Sequence, residues 1–82
     1  MKIPERGQTE TYFISDNKVA AVKLEAETGK FWVTVVNSEY IDLPAESPFA
    51  PNSNVAFLDT FQDVKKYLFE KADENYKEQF TK

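Results

Sequence analysis

From residue 22 the chain alternates: Val22, Leu24 and Ala26 fall on one side, Lys23, Glu25 and Glu27 on the other, the period of a half-buried strand. Before it, Thr11-Tyr12-Phe13-Ile14-Ser15 is rich in strand formers and ends at Asp16-Asn17-Lys18, where Asp and Asn tolerate the left-handed backbone of a tight turn. After it, Thr28-Gly29 supplies a residue free to take positive φ, and Phe31-Trp32-Val33-Thr34-Val35-Val36 is a strand by composition. Loop length at Thr28-Gly29 decides where Trp32 points, because a slip of one residue exchanges the two faces of a strand. A two-residue loop sets Ala26, Leu24 and Val22 opposite Phe31, Val33 and Val35 and leaves Trp32 outside beside Lys23 and Glu25. A three-residue bulged loop sets Leu24 opposite Trp32. The first gathers six apolar residues on one face and is preferred.

Tyr40-Ile41-Asp42-Leu43 suits a further short strand, and residues 44–54, with Pro44, Pro48 and Pro51, read as a loop. Val55-Ala56-Phe57-Leu58 fits either a last buried strand or a first helical turn capped by Asn54. Beyond it the period changes. Phe61, Val64, Leu68, Ala72, Tyr76 and Phe80 recur every three or four residues, with Lys65, Lys66, Glu70, Asp73, Glu74, Lys77 and Glu78 around them. Asp59 and Thr60 are both good N-caps, and Asp63 suits the positive end of the helix dipole. One helix of about 28 Å is expected from Thr60 to near Glu78.

The expected fold is therefore α+β: a three- to four-stranded antiparallel meander packed against one long C-terminal helix. One domain is expected over residues 1–82, with a loose N-terminal arm at 1–9, strands at 10–43, a Pro-rich loop at 44–54 and the helix at 59–79. Val22, Leu24, Val33 and Val35 should face Val64, Leu68, Ala72 and Tyr76. At 82 residues the chain has room for one small core, and its 15% aromatic content lets few positions remove much apolar area from water.

Composition narrows the chemistry. With neither cysteine nor histidine, the chain lacks a thiolate nucleophile and the usual zinc ligands and general base, so no metal or cofactor is expected. A Ser-His-Asp set is impossible, and two glycines cannot build a phosphate loop. Paired carboxylates remain, but a sugar-binding cleft is hard to fit into a one-core domain, so a non-enzymatic role is expected. The apolar runs at 31–36 and 55–58 are far short of the roughly 20 residues that span a bilayer. The N-terminus lacks the pattern of a secretory signal, and a cytoplasmic setting is expected.

Charge is unevenly spread. Between Phe31 and Val64 stand Glu39, Asp42, Glu46, Asp59 and Asp63 and no base, whereas the other nine acids are matched by all ten bases elsewhere. An acidic end of this kind repels nucleic acid and attracts a basic protein surface. The plainer reading is that Asp59 and Asp63 cap a helix and the other three are solvated loop charges. Phe49, between Pro48 and Pro51, and an outward Trp32 are candidate binding anchors; Phe49 also suits a plug for one end of the sheet. Tyr67 and Phe69 widen the helix stripe, either to cover a broad sheet or to offer a contact face.

Lys30-Phe31-Trp32-Val33-Thr34-Val35, followed by Ser38-Glu39 and by Leu43-Pro44, resembles the first strand of the small podovirus-encoded inhibitors of host RNA polymerase. The resemblance covers about 15 residues and implies a class, a small phage-type protein that occupies a surface on a host machine. It transfers no binding residue, because that family continues after its helix into a strand bearing arginines, and this chain has no arginine beyond Arg6.

The expectation is a small acidic protein-binding module, an inhibitor of phage type that engages a basic surface of a nucleic-acid-processing machine through Trp32, Glu39, Asp42, Glu46, Phe49, Asp59 and Asp63. Mimicry of nucleic acid by spaced carboxylates is a narrower form of it. The alternatives are a structural subunit that self-associates through the helix face, and single-strand nucleic-acid binding through Trp32 with Lys23 nearby. The acidic balance disfavours the last.

Overall fold

The computed structural model describes residues 2–38 and 55–81. Four antiparallel strands, β1 (Thr9–Phe13), β2 (Lys18–Leu24), β3 (Phe31–Asn37) and β4 (Ala56–Leu58), form one sheet in sequence order. They are followed by helices α1 (Phe61–Lys71) and α2 (Glu74–Lys77) and a 3₁₀ turn, Glu78–Phe80.

The β2–β3 hairpin keeps the expected faces of Val22, Leu24, Phe31, Val33 and Val35 with a longer loop, but Ala26, expected inward opposite Phe31, falls in that loop and is exposed. Leu24 pairs with Phe31, Val22 with Val33, Ala20 with Val35 and Lys23 with Trp32, two residues away from the expected register. The Glu25 N–H donates to the Lys30 carbonyl at 2.9 Å and the Gly29 N–H to the Glu25 carbonyl at 2.9 Å, with Gly29 at φ 72°. Residues 26–29 thus form the loop. An even-numbered loop preserves the facing of both strands, so Trp32 still points away from the core. The Glu25 carboxylate stiffens the turn by accepting from the N–H groups of Glu27 at 3.1 Å and Thr28 at 2.6 Å. Those bonds favour the ionised form and hold its pKa below the usual carboxylate range.

The β1–β2 turn forms without a left-handed residue, since no described non-glycine residue has positive φ. Ser15 and Asn17 bond to each other across it instead: Ser15 Oγ donates to Asn17 Oδ1 at 3.0 Å. In the segment before β1, the Gly7 N–H donates to the Leu24 carbonyl at 2.7 Å, the Tyr12 hydroxyl donates to the Lys2 carbonyl, and Pro4 is buried.

One face of the sheet builds the core. Tyr12, Ile14, Ala20, Val22, Phe31 and Val33 meet Val64, Leu68, Ala72 and Phe80, with Leu24, Val35, Ala56 and Leu58 packed around them. Tyr76 is half-buried against this core, so the expected facing residues do meet. The opposite face is closed at its centre, where Val19, Ala21 and Thr34 are buried, and open at its rims, where Phe13 and Phe57 are exposed.

The single long helix is corrected to two short helices and a 3₁₀ turn. Ala72 leaves helical geometry at φ −79°, ψ 148°, and Asp73 follows at φ −67°, ψ 158° to start α2. The Asp73 N–H donates to the Ile14 carbonyl at 2.8 Å, drawing the chain onto the end of β1. Folding back buries Phe80 against Tyr12, with ring centroids 6.3 Å apart in an edge-to-face contact.

Candidate functional site

The outward side chains beside the β2–β3 loop form the most distinctive exposed group. Three consecutive features place them there: the even loop turns Trp32 outward, the β3–β4 register sets Phe57 directly opposite Trp32, and strand alternation puts Lys23 on its other side. The Trp32 and Phe57 rings meet at 5.5 Å and 81°, edge to face. The Lys23 ammonium stands 5.4 Å from the centroid of the Trp32 ring, within cation–π range. Phe57 is 60% exposed, the highest value among the exposed large apolar residues described, and Trp32 is half-buried.

Next along the same edge, Lys30 and Asp59 approach to 3.7 Å. Both are well exposed, so the pair contributes little stability, yet it offsets the Asp59 charge with a base that lies just outside the base-free interval of the sequence. Trp32 and Asp59 are thus neighbours at one end of the sheet. Asp63 is elsewhere: it occupies the first turn of α1, where its N–H donates to Thr60 Oγ1 at 3.1 Å. Thr60, rather than Asp59, is the N-cap. The Asp63 residue borders a groove with Lys65, Lys66, Phe69 and Phe80, away from the aromatic pair. The remaining expected contact residues, Glu39, Asp42, Glu46 and Phe49, lie outside the described residues, as do the expected strand at 40–43 and loop at 44–54.

Phe57 is absent from the candidate contact residues that the sequence offers. Its signal was present: if Val55-Ala56-Phe57-Leu58 is a strand with Ala56 and Leu58 inward, alternation sends Phe57 outward. Tyr67 and Phe69 behave differently from an open contact face. Both pack against the core, and the ammonium groups of Lys71 and Lys77 lie 4.9 Å and 4.5 Å from their ring centroids.

Among the described residues no three acids group so as to hold a metal ion, and no helix is long and apolar enough to cross a membrane. No protein-family model, curated protein or solved structure matches the chain.

Proposed function

We propose that this protein is a non-enzymatic protein-binding module whose contact surface centres on Phe57 and Trp32. The observation that carries the reading is an exposed Phe57 braced edge-on against Trp32 on the outer face of the sheet. A large ring held in place by a neighbour loses little side-chain freedom on binding, which is why braced aromatics make effective anchors. The partner is a protein with a basic surface. The net charge of −4 draws the chain as a whole to such a surface and repels it from phosphate backbones. The resemblance in β3 adds a partner class, a nucleic-acid-processing machine of the host, and a phage-type inhibitory role.

Affinity capture with the wild-type chain and with Phe57→Ala, compared protein by protein, tests this. A basic protein retained by the wild type and lost with Phe57→Ala supports the reading; capture by the variant at undiminished occupancy refutes it.

Single-strand nucleic-acid binding is the second reading, favoured by two sheet-borne rings with Lys23 over one of them. It predicts quenching of Trp32 fluorescence by an oligonucleotide at low salt, reversed as salt rises. A flat titration removes it.

A further inference from the structure

On the side of the sheet opposite Trp32, the layer between strands and helix is open at one end. There Ile14, Lys18 and Val35 from the sheet and Tyr67 and Lys71 from α1 enclose a groove of about 380 Å³. Its size falls within the range of small-molecule sites, roughly 300–1,000 Å³.

The groove combines an apolar floor with a basic rim, a local reversal in a chain of net charge −4. Among the described residues, neither Lys18 nor Lys71 has a carboxylate within ion-pair distance. The nearest acid in sequence to Lys18 is Asp16, whose carboxylate accepts from the Tyr76 hydroxyl at 2.6 Å. Lys71 stands in the last turn of α1, where a base ordinarily serves the exposed carbonyls. Here Lys77 takes up that work, since its ammonium donates to the Phe69 carbonyl at 2.8 Å. The Lys71 ammonium is instead held over the Tyr67 ring at the groove.

We infer that this groove binds a small carboxylate with an apolar body, an alkyl or aryl acid whose carboxylate sits at Lys18 and Lys71 and whose tail lies along Val35, Ile14 and the Tyr67 ring. Two ammonium groups suit a carboxylate, which accepts through two oxygens, and the apolar wall gives the tail a place out of water. Inorganic phosphate lacks the tail and gains nothing from the apolar wall.

The test follows the methyl resonances of Ile14 and Val35 in the full chain during titration with octanoate, octanol, acetate and phosphate. The expected result is saturable shifts with octanoate, with octanol, acetate and phosphate each at least about tenfold weaker. Lys18→Met with Lys71→Met, which keeps apolar stems and removes both charges, should weaken octanoate by about tenfold or more, while Lys66→Met leaves it unchanged. The inference is overturned by absence of saturable shifts up to about 10 mM, where even weak binding registers. Octanol or acetate binding as tightly as octanoate overturns it too, as does full octanoate affinity in a double variant whose amide spectrum shows the native fold.

Discussion

Phe80 stands edge-on to Tyr12 across the bottom of the core, joining the last turn of the chain to its first strand. Phe80 is 4% exposed, so Phe80→Ala removes a buried ring and leaves a cavity, with an expected cost of about 3 kcal/mol. Phe57→Ala should cost about 1 kcal/mol or less, because the exposed ring loses only its contact with Trp32. Urea unfolding of both variants checks the contrast. Equal costs would mean either that Phe80 is dispensable to the core or that Phe57 is part of it, and would undo its assignment as a surface anchor.

Faces were more legible in the sequence than registers. The placement of Val22, Leu24, Val33 and Val35 inward and Trp32 outward depends only on the parity of the loop, so a loop two residues longer left the inner set intact. The break in the helix was masked for a related reason. Leu68, Ala72, Tyr76 and Phe80 keep a four-residue spacing through it, and periodicity cannot distinguish a continued helix from one that stops and restarts with the same side inward. Asp73-Glu74, a capping residue followed by an acid suited to a first turn, was the local signal. The acidic end read from sequence depended on linear spacing. In space Asp59 meets Lys30 and Asp63 joins Lys65 and Lys66 at another groove.

The two helix starts differ in what their caps do. Thr60 Oγ1 accepts from the Asp63 N–H, whereas Asp73 makes no side-chain capping bond. Thr60→Ala is expected to cost about 1 kcal/mol, and Asp73→Ala to stay within about 0.5 kcal/mol. The tether at that point is the Asp73 backbone N–H on the Ile14 carbonyl, which alanine preserves. A larger loss for Asp73→Ala than for Thr60→Ala would show that the carboxylate, not the backbone, holds the chain reversal.

Gly29 closes the β2–β3 loop at φ 72°, and a Cβ built there meets the Arg6 Nη2 atom at 3.2 Å. Gly29→Ala should therefore destabilise the fold by about 1 kcal/mol, the cost of a left-handed alanine. A guanidinium at the end of a flexible side chain can move aside, so the loss is assigned to the backbone. It should persist when Gly29→Ala is introduced into an Arg6→Ala chain. Disappearance of the loss in that background, measured by a double-mutant cycle, would transfer the cause to the contact.

Tyr12 gives the fold a limit at alkaline pH. Burial, and secondarily the Glu10 carboxylate, push its phenol from 10.0 up to about 12, and its hydroxyl donates to the Lys2 carbonyl. In the unfolded chain the phenol loses its proton near pH 10.0, while the folded chain retains it until about 12. Between those values the folded state binds more protons, so stability falls as pH rises; the contribution is whole below pH 10 and lost on passing through 12. Tyr12→Phe keeps the ring on Phe80 and removes the titration, at a cost of about 1 kcal/mol near neutrality for the missing hydrogen bond. The two stability curves should run parallel up to about pH 10, then converge and cross, because holding the phenol protonated from 10.0 to about 12 costs the wild type more than its hydrogen bond contributes. Titrations common to both proteins cancel in the difference. Curves that stay parallel to pH 12 would show that the Tyr12 phenol ionises as readily in the folded protein as in the unfolded chain.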